Sequence, residues 1–270
     1  MNGKPNRKIV LWAALAALLA AIFLSHRYLY EAPVLMYHHV GSGSDSTFVT
    51  SESFERQMEF LKVHHYRVIG LAQLIHEIRE GKSIPGKTVC ITFDDGNLDN
   101  FRDAFPVLKK MGFPATIFMI TANIGRSEWL SEEDLRILDE SGIAIGSHTV
   151  HHAFLPKLYA EEIQAELTGS KIALETALGH EVTLLSYPAG GLTPAIKDWV
   201  REAGYEGAVT TNYGREKHDI YSLHRIKVGE SSGNLFNFWL KVSGYYQLGK
   251  KRVAYRTPLG GEGLENDGSD

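Results

Sequence analysis

Residues 115–152 read ATIFMITANIGRSEWLSEEDLRILDESGIAIGSHTVHH, and their order decides the fold. Ala115–Ile120 (ATIFMI) and Ile143–Ser147 (IAIGS) are short, nearly unbroken apolar runs of strand length, the pattern of parallel strands buried on both faces. Between them Ser131 offers a helix N-cap, Glu132, Glu133 and Asp134 place negative charge in the first turn, and Gly142 supplies a stop. The stretch therefore predicts strand, helix, strand.

The alternation extends in both directions. Val34–Tyr37 (VLMY), Thr88–Phe93 (TVCITF), Leu184–Tyr187 (LLSY) and Gly207–Thr211 (GAVTT) are further predicted strands. Leu71, Leu74, Ile75 and Ile78 mark one face of a helix ending near Gly81, and helices are also predicted over 160–178 and 194–203, stopped by Gly179 and Gly204. Such repetition selects an α/β fold with a parallel sheet, open or closed into a barrel, whose ligands gather at the carboxyl ends of the strands.

Composition narrows the chemistry. The 270 residues are 44% hydrophobic and 22% charged, which excludes disorder and permits a sizeable core. With 28 basic and 32 acidic side chains the net charge is −4, so no basic surplus exists to bind nucleic acid. Cys90 is the single cysteine, which excludes an intramolecular disulfide framework or a Cys-rich zinc site, and it reads as a small apolar strand residue. A metal would have to be held by carboxylates and some of the twelve histidines.

Ile9–Leu24 is an apolar run of 16 residues, about 24 Å long as a helix, preceded by Lys4, Arg7 and Lys8. It reads as an uncleaved signal anchor: residues 1–31 form a cytoplasmic stub and transmembrane helix, and the remainder lies outside the cytoplasm, periplasmic or extracellular. A cleaved signal peptide, giving a secreted protein, is the rival reading. Residues 32–257 then form one domain, and the Gly-rich, acidic stretch 258–270 a disordered tail. Residues 1–30 hold four Lys or Arg and no acidic residue, so the rest of the chain carries −8.

Polar residues cluster after the predicted strands: His38 and His39 after the first, Asp94 and Asp95 after the second, His148, His151 and His152 after the fourth, and Tyr187-Pro188 at the fifth. Taken alone, Asp94-Asp95-Gly96 is a turn or helix cap. His148 and His152, four apart, place two imidazoles on one side of a helical or tightly turned backbone, as a metal requires. Two histidines and one aspartate leave an open coordination position, the catalytic pattern in which a divalent ion acidifies water.

Thr92-Phe93-Asp94-Asp95-Gly96, Ser147-His148-Thr149-Val150-His151-His152, Ser186-Tyr187-Pro188-Ala189-Gly190 and Leu35-Met36-Tyr37-His38-His39-Val40 resemble the motifs of the polysaccharide deacetylases, carbohydrate esterase family 4 or NodB homology domain. The resemblance runs from Val34 to about Val228. It implies a distorted (β/α)7 barrel, with Asp95, His148 and His152 as ligands of one divalent metal ion, Zn2+ foremost with Co2+ or Ni2+ as alternatives. It further implies Asp94 as general base and the backbone N–H of Tyr187 as an oxyanion donor.

The third motif departs from the commonest pattern, having Leu185-Ser186 where an Arg is usual. In the shorter branch that includes poly-N-acetylglucosamine deacetylases, a Tyr-His pair on the first strand supplies the acid, which points to His38. His224 is the alternative, and Arg225 would orient Asp94. The activity implied is hydrolysis of N-acetyl groups on an acetylated polysaccharide or oligosaccharide such as poly-N-acetylglucosamine, chitin or peptidoglycan glycan. An O-acetyl esterase of xylan-like glycan and a non-catalytic glycan-binding barrel serving polymer export are the other readings. His39, His64, His65 and His151 read as solvated or supporting residues, and Trp129, Trp199 and Trp239 as core before sugar platforms. An acidic exterior suits a neutral or cationic glycan.

Overall fold

The computed structural model of the chain describes residues 30–43, 45–212 and 219–246, together with Lys8, Leu11, Trp12 and residues 14–16. Two compact units divide after Glu31. In the first, the described residues between 8 and 16 are helical, while most of the run Ile9–Leu24 lies outside the described residues. Among those described, no helix is long and apolar enough to cross a membrane. The tail expected over 258–270 also lies outside them.

Seven parallel strands of the second unit close into a barrel. In chain order they are β1 (Val34–Tyr37), β5 (Thr88–Phe93), β6 (Ala115–Met119), β7 (Ile143–Ser147), β8 (Leu184–Ser186), β9 (Gly207–Thr210) and β10 (Leu223–Lys227). Each pairs with the next, β1 pairs with β10, and β1 also pairs with β5, with Val34 opposite Arg225 on one side and Cys90 on the other. Three two-residue strands complete the set: β2 (His39–Val40) pairs with β3 (Phe48–Val49), and β4 (Arg67–Val68) pairs with the start of β5. The helices are α1 (Ser51–Val63), α2 (Leu71–Arg79), α3 (Phe105–Met111), α4 (Glu132–Glu140), α5 (Ala160–Leu178), α6 (Pro194–Glu202) and α7 (Leu235–Val242).

The two-residue alternation of each strand sorts its side chains between two cores. Val89, Ile91 and Phe93 of β5 join an outer cluster with Leu61 of α1, Leu108 of α3 and Leu135 of α4. Cys90 instead joins Val34, Leu184 and Leu223, each the first residue of its strand, in a cluster that also takes Leu71, Leu74 and Ile75 of α2. Helix α2 thus stops the amino-terminal mouth of the barrel. Gly207, first in β9, leaves room for it, since a Cβ there would stand 2.4 Å from Ile75 Cδ1. A third cluster packs α5 and α6 on the outer faces of β8 and β9 through Leu167, Val200, Leu185 and Ala208. Apolar packing closes one end and the sides, so the carboxyl end is left for chemistry.

The helix ends follow local rules. Ser131 Oγ accepts the Asp134 N–H, and the Asp134 carboxylate accepts the Ser131 N–H, a reciprocal capping box. Helix α5 ends at Gly179 with φ 80°. Besides the two-residue strands β2, β3 and β4, four larger elements lie where the pattern predicts none. In α1 the polar Ser53 and Gln57 share the buried stripe with Phe54, Met58 and Leu61 and break its apolar period. Helix α3 continues a wider π-turn over Asn100–Ala104 with Pro106 in its first turn, and α7 follows an Asn234 cap. Strand β10 reads LHRIK, three basic or titratable residues in five, and its central Arg225 is buried.

Candidate active site and metal centre

The chain turns sharply where β5 leaves the barrel, because Asp95 (φ 74°) and Gly96 (φ 82°) are consecutive left-handed residues. Only glycine fits at 96: an added Cβ would lie 2.0 Å from Met119 Sδ. On the far side of β6, the loop after β7 bends through Thr149 (φ 64°) and His152 (φ 57°). With Ala189 (φ 51°) after β8, four of the seven non-glycine residues described with positive φ stand on this rim. Left-handed backbone on branched or bulky side chains carries strain, which the surrounding contacts must hold.

These bends bring Asp95, His148 and His152 together, with one ligand atom from each within 4.8 Å of the others. Asp95 Oδ1 stands 3.7 Å from His148 Nε2 and 3.8 Å from His152 Nε2, too far to hydrogen bond. Donors about 2.0–2.1 Å from a tetrahedral ion stand roughly 3.4 Å apart, so the triad fits a divalent ion after a shift of a few tenths of an ångström. His148 is oriented for this role: its Nδ1–H donates to the Ser186 carbonyl at 2.8 Å, which leaves the Nε2 lone pair facing Asp95. Burial lowers the His148 pKa against the pull of Asp94 and Asp95, keeping the ring neutral, as a ligand must be.

Asp94 lies beside the triad, its Oδ2 3.9 Å from His148 Nε2. Arg225 grips it from inside the barrel: Nη1 donates to Oδ1 at 2.6 Å and Nη2 to Oδ2 at 2.5 Å, while the same two nitrogens reach Thr92 Oγ1 and Ser186 Oγ. Burial by itself would raise the Asp94 pKa. The charge of Arg225 and its two hydrogen bonds outweigh it and hold the carboxyl well below the usual carboxylate range. A fork-to-fork pair fixes the carboxylate plane while leaving lone pairs on both oxygens.

His38 follows β1, and its Nδ1 is buried without a hydrogen-bond partner among the described residues. Its backbone carbonyl accepts from the Asn100 side chain at 2.8 Å. Burial lowers its pKa, opposed chiefly by the charges of Asp94 and Asp95. His224 directs Nδ1 to the Asn212 carbonyl at 3.0 Å and shares with His38 and Arg225 a cleft of about 510 Å³.

Tyr187 is placed otherwise than the resemblance implies. Its N–H donates to the Val209 carbonyl at 3.0 Å, continuing the β8–β9 ladder, and its ring turns outward into the cluster of α5 and α6. The amide is thereby held by the sheet and is not free to meet an oxyanion.

Of the supporting histidines, His39 bonds Asp99 at 2.7 Å and stacks on Phe48, His151 bonds Glu166 at 2.7 Å, and His64 stacks on Phe60. Trp199 packs against the α5–α6 cluster, while Trp239 is exposed on α7. Trp129 both packs on the outer core and lines a second cleft of about 570 Å³ that opens beside Asp95, walled also by His39, Phe48, Asp99, Asp103 and Glu128. Its carboxylates come from the stretch after the Asp94-Asp95-Gly96 turn and the loop before α4, so their convergence is not visible in any one segment.

The sequence model of the polysaccharide deacetylase family matches residues 81–208. The chain is 36% identical over 214 residues to the polysaccharide deacetylase YxkH of Bacillus subtilis (strain 168), covering 78% of this chain and 76% of that protein. It is 28% identical over 205 residues to the poly-beta-1,6-N-acetyl-D-glucosamine N-deacetylase of Staphylococcus aureus (strain MSSA476), covering 68% of this chain and 69% of the other. Among solved structures, IcaB from Ammonifex degensii superposes with a TM-score of 0.70 at 26% identity, over 78% of this chain and 97% of that one. By this identity and coverage the chain belongs to the polysaccharide deacetylases, hydrolases of carbon–nitrogen bonds other than peptide bonds.

Proposed function

We propose that this deacetylase is metal-dependent and removes N-acetyl groups from an N-acetylhexosamine polymer, of which poly-β-1,6-N-acetylglucosamine is the leading candidate. The observation that carries the reading is the convergence of Asp95, His148 and His152 beside an Asp94 clamped by Arg225. Zn2+, Co2+ and Ni2+ all suit this donor set. When bound, such an ion acidifies water and polarises a carbonyl. Asp94, held ionised, accepts a proton at the carboxylate edge not used by Arg225. His38, directly after β1, supplies the proton that the leaving amine requires. Its buried, unpaired Nδ1 and the two carboxylates acting on it favour it over His224.

The cleft beside Asp95 supports the substrate class. Trp129 offers a ring face for a sugar, and Asp103 and Glu128 offer charge for the amines of units already deacetylated. The basic-flanked apolar run Ile9–Leu24 supports a single-pass membrane anchor with the barrel outside the cytoplasm, where such polymers lie. Protease shaving of intact cells, with the barrel cleaved from outside, is the test of that placement.

The activity is tested by acetate release from poly-β-1,6-N-acetylglucosamine and chitooligosaccharides by the full-length chain in detergent. Release that is lost with chelator, restored by Zn2+, Co2+ or Ni2+, and absent in Asp94→Asn is the expected result. Release from acetylated xylan alone would make it an O-acetyl esterase. Glycan binding without turnover, unchanged in Asp94→Asn, would make it a binding barrel.

A further inference from the structure

Helix α5 carries two polar residues on its buried stripe, Glu166 and Ser170, among Ile163, Leu167, Leu174 and Ala177. Acidic side chains are seldom buried unless they are paired. Glu166 lies against the loop that joins His148 to His152. Its Oε2 accepts the N–H of Val150 at 2.8 Å and of His151 at 2.9 Å, and its Oε1 accepts from His151 Nδ1 at 2.7 Å. One turn further along, Ser170 Oγ meets Ser147 Oγ at 2.7 Å, and Ser147 Oγ accepts the Thr149 N–H at 3.1 Å. All three residues between the two histidines therefore have their backbone N–H groups held, directly or through Ser147, from one face of α5.

That loop needs holding. Thr149 and His152 are both left-handed, and a β-branched residue in that conformation does not remain there unaided. A relaxed loop would carry the His152 ring away from Asp95, whereas His148 is fixed separately by the Ser186 carbonyl. We propose that Glu166 is a positioning residue for the metal centre: by accepting the Val150 and His151 N–H groups it keeps the strained loop in the one shape that points His152 at Asp95 and His148. The inference rests on the metal-site reading above. Outer groups that orient metal ligands typically change affinity 10- to 100-fold when removed.

Two substitutions of the full-length protein test it. Glu166→Asp keeps the charge but withdraws the carboxylate by one methylene, and is expected to weaken Zn2+ binding at least about 10-fold by competition titration. It should also alter the visible absorption of the Co2+-loaded protein, with the thermal midpoint of the metal-free protein little changed. Glu166→Gln retains the reach and a carbonyl oxygen for the two N–H groups, and should bind Zn2+ within a few-fold of wild type. A Glu166→Asp protein that binds Zn2+ as wild type does would overturn the inference. So would a Glu166→Gln protein as impaired as Glu166→Asp, or one that fails to fold, since charge or core stability would then be the role. Wild type that binds none of Zn2+, Co2+ or Ni2+ would defeat the metal reading itself, and the inference with it.

Discussion

Arg225 and Asp94 meet as a two-pronged ion pair inside the barrel, both guanidinium Nη atoms on both carboxylate oxygens, with 2% and 3% of each residue exposed. They come from β10 and the end of β5, which are not paired with one another; both flank β1. The pair is at once a structural tie across the barrel and a constraint on the carboxylate proposed as general base.

Removing one partner leaves a buried charge uncompensated. Arg225→Met should destabilise the metal-free protein by about 3–5 kcal/mol in urea unfolding. Arg225→Lys keeps the charge but loses the fork, so it should recover part of the stability and little of the activity. Unfolding midpoints for both variants equal to wild type would show that the pair contributes nothing net.

The same pair sets an acid dependence. A carboxylate whose folded pKa lies below its unfolded value contributes stability that is full above about pH 4, the unfolded range, and is lost as pH falls towards the folded value. Asp94→Asn cannot titrate. The stability difference between wild type and Asp94→Asn should therefore shrink steadily as pH is lowered from about 5 to 2, read by urea unfolding at each pH. A difference independent of pH would contradict the assignment.

His38 should show in the rate and not in binding. A general acid contributes about 10²–10⁴-fold, so His38→Ala should lower kcat by that order with KM near wild type, and His224→Ala by less than about tenfold. A proton donor fails as pH rises through its pKa, and burial lowers that of His38. The alkaline fall of kcat/KM should accordingly lie below the ordinary histidine value of about 6.5 and disappear in His38→Ala. Equal losses in the two variants would remove the preference for His38.

Metal should stabilise as well as activate. An ion present at 100 times its Kd adds about 2.7 kcal/mol, so Zn2+ should raise the thermal midpoint of wild type and not of Asp95→Asn or His152→Ala. A midpoint shift retained in those variants would place the ion elsewhere.

Gly96 is the turn on which the site depends. Gly96→Ala must accept φ 82° and a Cβ 2.0 Å from Met119 Sδ, and should lose about 1–3 kcal/mol along with activity. Calorimetry on the metal-free variant separates the two losses.

Local pattern was sufficient for much of this. Six of the seven barrel strands are legible because strands buried on both faces are short apolar runs, and α2, α4, α5 and α6 because their caps and stops are coded in adjacent residues. The motif residues Asp94, Asp95 and His148 are legible for the same reason, each lying directly after such a run, with His152 four residues beyond His148. Strand β10 is not, because an arginine may face a barrel interior only when a carboxylate from another strand awaits it, and that partner is 131 residues away. The Tyr187 amide, read from the motif as an oxyanion donor, is used by Val209, a pairing that only closure of the sheet determines. Glu166 gives no signal of its own, since a glutamate on a helix is ordinary until packing turns it inward. By itself the sequence determined which residues could do the chemistry and at which end of the strands they stand, because both depend on neighbours in the chain. Only the tertiary structure decided their orientation and what holds them, because those depend on the barrel bringing β1, β5, β7 and β10 to one rim.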